Sequence, residues 1–226
     1  DANRIGLIAF VRQNLQTCAT FFVSVSIVLI AVISVVTWWP VAAMRQFKTT
    51  PIEVGNMQGL AFTVSGVIAM ALTEVMFRTL RPRYGIVTPL VIVFISFIGI
   101  AISLITSTFA QDSATLFVIF GFFSVFATSG SMAFPTVVQE LGPAHLRGRL
   151  AGLYAVFGFI GVAIGPLAVG ILSDQMGAHG GGLIKATAIV GTIATIIGSA
   201  LLLLCFRTYP ITYEKSRLLD IQSSNT

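Results

Sequence analysis

The feature that most constrains this chain is a set of six long stretches without a charged residue. They cover residues 13–44, 54–73, 84–111, 113–139, 150–173 and 186–206. Each stretch reaches or exceeds the ~20 apolar residues that a helix needs to cross a hydrocarbon core of about 30 Å. Buried helices of a soluble protein would instead be apolar over about 10–14 residues. The pattern therefore predicts six membrane-spanning segments.

The composition also favours a membrane protein. Charged residues make up 9% of the 226 residues, whereas soluble domains contain roughly a quarter. Lipid offers the backbone no hydrogen-bond partners, so a spanning segment must be a helix or part of a closed barrel. Barrel strands alternate polar with apolar residues, and the run FVIFGFF at residues 117–123 does not alternate. We therefore predict an all-α membrane protein.

The charges mark the expected boundaries. We expect a cytoplasmic or interfacial lead-in at residues 1–16, a six-helix bundle at 17–207 and a cytoplasmic tail at 208–226. The helices are predicted at 17–41, 54–77, 86–108, 113–138, 149–173 and 184–206. The first segment is too long for a signal peptide and is followed by five similar segments. Because the chain begins at Asp1 and its first methionine is Met44, we expect a fragment or a processed chain that lacks an upstream part.

Basic residues indicate the orientation. Six crossings put both termini on one side, which carries ten Lys and Arg residues, against three on the other side. Cytoplasmic loops carry the excess, so we expect both termini in the cytoplasm and a multi-pass protein of the bacterial inner or plasma membrane. The bias accounts for the net charge of +5 without nucleic acid as a partner. Trp38, Trp39 and Pro40 are expected to close the first helix at its outer end, as an interfacial aromatic belt or as part of a gate.

The six helices group as two triplets. Each triplet begins with a helix that ends in an aromatic residue and a proline, Trp39-Pro40 in one and Phe134-Pro135 in the other. A short linker with another proline and a glycine-bearing helix then follow. One linker is expected outside and the other inside, as an inverted repeat requires. The predicted fold is therefore six transmembrane helices arranged as a 3+3 inverted repeat.

Hydroxyl side chains form a stripe on the first helix of each triplet. At 100° per residue, two sets each fall on one helix face: Ser26, Ser34 and Thr37, and Ser124, Thr128 and Ser131. A single hydroxyl can bond its own helix backbone, but two aligned stripes indicate that these residues face a shared cavity. We predict them to belong to a transport pathway.

The fifth helix carries small residues on one face. Tyr154, Gly158, Gly161 and Gly165 are spaced four, three and four residues apart, which places them on the same side of a helix. Small residues let helix backbones approach closely in lipid, and Pro166 interrupts the hydrogen-bond ladder and favours a kink. Tight packing alone and a contact that slides or bends during transport both remain open.

Charged residues cluster at the inner ends of helices. Glu74 and Arg78 lie one turn apart on the second helix, and Glu140 and Arg147 flank the linker after the fourth. These residues are either a cytoplasmic latch that closes in one conformation or solvated charges that end the helices. No charge lies near a helix midpoint, where an ion or proton site would be expected. Any proton-coupling group is therefore expected on a missing half.

The chain offers no constellation of catalytic residues. His145 and His179 are expected on opposite sides of the bilayer, and the glycines at 177–182 lack the strand-to-helix context of a nucleotide motif. Cys18 and Cys205 lie at the edges of the first and last helices, so a disulfide has no support. We expect no enzyme activity, no cofactor and no metal.

Residues 134–174 carry a distinctive pattern. The run FPTVVQELGPAHLRGRLAGLYAVFGFIGVAIGPLAVGILSD contains an acid, a proline, Arg-Gly and spaced glycines that end in Gly-Pro. It resembles the tenth and eleventh helices of the Major Facilitator Superfamily, and the chain thus resembles the C-terminal half of such a transporter. The family's antiporter motif is matched in spacing by Gly152, Gly161, Gly165, Pro166 and Gly170. Val169 replaces one expected glycine, and the motif normally lies in the other half, so it does not indicate antiport.

Two further segments bear on this resemblance. The loop after the second helix matches the family's charged motif loosely, since Met70, Glu74 and Val75 depart from it. Residues 38–66, with Trp-Trp-Pro and Glu-Val-Gly, look most like the Spinster-like branch.

The resemblance implies alternating access, in which two six-helix bundles rock around a central site. Helices one, two, four and five would line the cavity, and helices three and six would face lipid. Tyr154 and Phe157 would contact substrate or form the inner gate, and Trp38 would complete the pathway. The implied partners are the lipid bilayer, a small-molecule substrate, a missing N-terminal six-helix half and, for a symporter rather than a uniporter, protons. The alternatives are a six-helix scaffold without transport and a half-size transporter that acts as a homodimer.

Overall fold

The structure is a computed structural model that describes residues 6–176 and 182–224. Its helices are α1 (Leu7–Gln13), α2 (Leu15–Phe47), α3 (Pro51–Tyr84), α4 (Thr88–Ser107), α5 (Ser113–Leu141), α6 (Arg147–Gln175) and α7 (Gly182–Ser224). Within these residues, five continuous helical segments qualify by length and composition as membrane spans, and one of them, Pro51–Ser107, contains both α3 and α4. The predicted all-α, multi-pass membrane fold is confirmed. His179 and most of the predicted outer glycine turn lie outside the described residues.

Local side-chain chemistry sets where several helices begin and end. The backbone N–H of Thr50 donates to Glu53 Oε2 (2.8 Å) and the N–H of Glu53 donates to Thr50 Oγ1 (3.3 Å), which forms a capping box at the start of α3. Asp112 accepts the Thr115 N–H (2.7 Å) at the start of α5. The Thr115 hydrogen bonds lower the pKa of this carboxyl. Gly85, with φ of 54°, supplies the positive φ at the turn from α3 to α4.

Several helices extend further than the sequence predicted. The prediction that Pro40 closes the first helix is wrong, because α2 continues to Phe47. A proline removes one backbone hydrogen bond and favours a kink, but the next turn still forms here. The predicted ends at 77 and 206 are also too early, since α3 continues to Tyr84 and α7 to Ser224. In α3 and α7, charged residues therefore lie within the helix and do not mark its end.

The helix contacts follow the two triplets. α2 packs against α6 and α7, and α5 packs against α3 and α4. Exchanging α2, α3 and α4 with α5, α6 and α7 converts one set of contacts into the other, as the 3+3 repeat requires. The apolar core lies mainly on α2, α4, α5 and α7, whereas α3 and α6 bury few residues. These two helices therefore present broad exposed faces.

Candidate functional site

The hydroxyl stripe of α2 lies against the glycine face of α6. Ser26 Oγ donates to the Phe157 carbonyl oxygen at 2.6 Å. Ser34 is fully buried, and its Oγ has no hydrogen-bond partner among the described residues. Thr37, on the same stripe, is exposed. The two serines therefore belong to the α2–α6 contact, and Thr37 is the hydroxyl of this stripe that reaches outside the bundle.

The glycines of α6 permit this close contact. A Cβ at Gly161 would overlap the Ser26 carbonyl oxygen, and a Cβ at Gly165 would lie 2.6 Å from the Ile30 carbonyl oxygen. A Cβ at Gly158 would lie 3.3 Å from Leu29 Cδ1. The predicted pathway serines and the predicted packing glycines thus form one interface between two helices.

The tryptophans near the outer end of α2 also make contacts between helices. Trp38 Nε1 donates to the Pro166 carbonyl oxygen at 3.0 Å, which links α2 to the proline position of α6. Trp39 is fully buried, with ring centroids 6.0 Å from Phe120 and 5.8 Å from Phe123. Trp39 therefore packs against α5 in the bundle interior and not in an interfacial belt. No pattern in the sequence predicted this aromatic cluster.

The hydroxyl stripe of α5 changes from buried to exposed along the helix. Ser124 is buried and its Oγ has no partner among the described residues, Thr128 is half-buried, and Ser131 is exposed. Ser131 Oγ donates to the Ala127 carbonyl oxygen of its own helix at 2.8 Å. It also borders an internal cavity of about 10 Å³ between α2, α4 and α5, which is room for about one water molecule.

Tyr154 and Phe157 connect α6 to its neighbours. Phe157 stacks on Phe22 of α2, with ring centroids 5.8 Å apart. The Tyr154 ring lies 6.1 Å from Phe134 of α5. Both side chains are half-buried, so each retains a surface that a second bundle or a ligand could contact.

The charged residues predicted as a latch have different partners. Glu74 and Arg78 form an exposed ion pair within α3, which is a local contact. Glu140 accepts a hydrogen bond from the Tyr209 hydroxyl at 2.9 Å. Arg147 Nη2 lies 3.5 Å from Asp220 Oδ2. The partners of Glu140 and Arg147 therefore lie on α7.

The C-terminal part of α7 holds the turn between α5 and α6 at further points. Ser216 Oγ donates to the Leu141 carbonyl oxygen (2.6 Å), and Asp220 Oδ1 accepts the Ala144 N–H (2.8 Å). We call residues 209–220 the C-terminal brace. The brace was not predicted from the sequence, although its contact residues repeat at helical spacing: Tyr209, Thr212, Ser216 and Asp220.

The remaining candidate features are two cysteines and an apolar groove. Among the described residues, no group of three or more His, Cys, Asp or Glu side chains could hold a metal ion. Cys18 and Cys205 are buried free thiols. An apolar groove of about 590 Å³ runs between α3 and α5, and none of the predicted pathway residues lines it.

Comparisons with known proteins are consistent with this arrangement. Searches of the curated proteins and of the solved structures give no significant match. The family model of the Major Facilitator Superfamily matches residues 8–220. This range contains α2 to α6, almost all of α1, and α7 to the end of the brace. The chain therefore belongs to the Major Facilitator Superfamily, a family of membrane transporters.

Proposed function

We propose that this chain is the C-terminal six-helix half of a secondary transporter that moves a small organic solute by alternating access. The observation that carries the proposal is the two-sided character of α6. One side packs closely on α2 through Gly161 and Gly165. The other side exposes large apolar residues, namely Val156, Phe159, Ile160, Ile164, Leu167 and Ile171. A second bundle would cover this second side and enclose the cavity.

The assignment of the chain to the C-terminal half of the transporter and to the Spinster-like branch is supported by sequence pattern. The order of acid, proline, Arg-Gly and spaced glycines in residues 134–174 favours the C-terminal half, and residues 38–66 favour the Spinster-like branch. Glu53, within that second segment, also has a local role in the capping box of α3. The transport pathway would include Thr37, Thr128, Ser131, Tyr154 and Phe157, which keep exposed or half-buried side chains.

The inner latch of this proposal is formed by α5, α6 and α7 together. Glu140 bonds Tyr209 and Arg147 pairs with Asp220, so both charged residues are held by the C-terminal brace. Changes in these contacts would alter the position of the α5–α6 turn. In this mechanism the brace stabilises one conformation of the cytoplasmic end, and its release accompanies the change of access.

Cysteine accessibility tests the cavity-facing role of α6. Ile164 of α6 and Ile102 of α4 are 46% and 56% exposed. They lie at similar depth along the bundle. Gly165, next to Ile164 on α6, lies beside Ile30 of α2. Gly191 of α7 lies beside both Ala31 of α2 and Leu104, which is two residues from Ile102 on α4. We expect Ile164→Cys to react with a membrane-impermeant maleimide, since water enters the cavity, and Ile102→Cys to remain unreactive in lipid.

The two cysteine variants provide each other's control. Substrate or a conformation-locking ligand should change the labelling rate of Ile164→Cys, measured on the full-length protein in proteoliposomes. The native thiols are buried, so background labelling should be low. Equal labelling of the two variants, or no labelling of either, would contradict a cavity on this face of α6.

Two alternatives are separated by other measurements. A half-size transporter would run on blue-native gels at the mass of a homodimer and would cross-link through Ile164→Cys to itself. A scaffold would insert and assemble but give no solute uptake in proteoliposomes.

A further inference from the structure

A groove with two arginines lies between α1 and the start of α6. Its volume is about 630 Å³, and its lining comprises Gly6, Leu7, Ile8, Ala9, Arg12 and Arg149. Within residues 6–176 and 182–224, no carboxylate forms an ion pair with either arginine. The described residues therefore give this groove an apolar wall and two cationic groups without an acidic partner, which is complementary to an amphiphile with an anionic head.

The apolar wall is held in place by the packing of α1. Phe10 is 1% exposed, and a Cβ at Gly142 of the α5–α6 turn would lie 3.9 Å from its ring. This contact fixes α1 against the bundle. The opposite side of α1 and the start of α2 expose Ile8 (76%), Arg12 and Leu15 (58%). An arginine between two exposed aliphatic residues is typical of a surface that lies at a membrane interface.

The N-terminus of α6 adds to the positive potential of the groove. Arg149 is the third residue of this 29-residue helix, whose first turn contains no acidic residue and whose N-cap, Leu146, gives no side-chain hydrogen bond. The partial positive charge at a helix N-terminus favours nearby anions. It acts here together with the two guanidinium groups, which are suited to bidentate contact with phosphate oxygens.

We propose that this groove binds the phosphate headgroup of an anionic membrane phospholipid. Arg12 and Arg149 contact the phosphate, and an acyl chain lies along Leu7 and Ile8 of the groove wall. The apolar wall favours a lipid over a soluble anion, because free phosphate would gain nothing from it. This inference does not depend on transport, so its test is separate from that of the proposed function.

Lipid titration of the full-length protein tests the site. Dioleoylphosphatidylglycerol is added to the detergent-solubilised protein, and bound lipid is measured by native mass spectrometry. We expect Arg12→Gln and Arg149→Gln each to weaken binding about fivefold and the double variant on the order of thirtyfold, since each basic residue contributes similarly. Ile8→Ser should also weaken binding, with no change in charge. Arg83→Gln, at an exposed arginine outside the groove, is the matched control and should bind as the wild type does.

Three results would overturn the proposal. The first is unchanged phosphatidylglycerol binding in the double variant. The second is equal binding of dioleoylphosphatidylcholine, which has no net charge. The third is displacement of phosphatidylglycerol by an equal concentration of inorganic phosphate, which would assign the groove to a soluble anion. The substituted side chains are exposed, so the melting temperature should remain that of the wild type, and this is measured in parallel.

Discussion

At the scale of single residues, the α2–α6 contact depends on positions that carry no side chain. Lipid tails are as apolar as the helix surfaces, so helices associate in membranes through van der Waals packing and hydrogen bonds between them. Gly161 brings the α6 backbone against the Ser26 carbonyl, and the Ser26 hydroxyl then reaches the Phe157 carbonyl. The close approach and the hydrogen bond therefore depend on each other.

Substitution of Gly161 by alanine tests this dependence. The new methyl group would meet the Ser26 carbonyl oxygen, so Gly161→Ala should destabilise the protein by about 1–3 kcal/mol, as overpacking does. Gly152 lies on the same helix and has open space where a methyl group would point, so Gly152→Ala should be neutral or slightly stabilising. Thermal unfolding in detergent measures both. Equal melting temperatures for the two variants would contradict the packing role of Gly161.

Sequence spacing predicted the face of α6 but not its neighbour. A helical period places Gly158, Gly161 and Gly165 together, and in the structure all three lie against α2. The period does not say which helix is opposite, because that depends on the three-dimensional order of the bundle. Ser26 and Ser34 were therefore predicted only as pathway residues, while the structure buries both in this interface.

At the scale of helices, α7 is long enough for two separate roles. It contains 43 residues, or about 65 Å at 1.5 Å per residue, roughly twice the hydrocarbon core. Its first part can cross the membrane, and its last part forms the brace. Thr212 also hydrogen-bonds Thr17 at 2.9 Å, so the brace contacts the beginning of α2 as well as the α5–α6 turn.

A double-mutant cycle tests the brace. Tyr209→Phe removes the hydroxyl that donates to Glu140 and should cost about 1.5–3 kcal/mol, the range for a hydrogen bond to a carboxylate. Glu140→Gln should have little further effect once the hydroxyl is absent, which would give a measurable coupling energy. Glu214→Gln, at an exposed position of the same helix, is the control. Additive effects of the two substitutions on unfolding would show that Tyr209 and Glu140 are not coupled.

The all-α class and the approximate positions of the long apolar helices could be predicted, because an uncharged stretch of ~20 residues has the length of a membrane crossing. The helix ends could not, because α3 and α7 continue beyond the apolar stretch through charged and polar residues. The brace could have been suspected from the spacing of Tyr209, Ser216 and Asp220. Its partners at the α5–α6 turn could not, since they lie about 70 residues away in sequence.

At the scale of the whole molecule, the basic residues predict the orientation. In a chain that crosses the membrane six times, one side of the bundle holds the starts of α2, α4 and α6 and the ends of α3, α5 and α7. That side carries ten of the Lys and Arg residues, which favours the cytoplasm.

Reporter fusions test this orientation. Green fluorescent protein fused after α7 should fluoresce, since it folds in the cytoplasm, whereas alkaline phosphatase at the same position should be inactive. Alkaline phosphatase inserted between α2 and α3, at residues 48–50, is the control and should be active. Phosphatase activity at both positions would contradict the six-crossing topology.

The two hydrogen bonds between α2 and α6 have a mechanical consequence. Ser26 and Trp38 bond α6 at Phe157 and Pro166, and the two donors are about 18 Å apart along α2. Two hydrogen bonds at separate positions fix both the axial position of one helix on the other and the angle between the two helices. A slide of one turn would break both bonds, and a swivel would break at least one. α2 and α6 should therefore tilt as one rigid body. A displacement at the inner end of one helix would then move the outer end of the other.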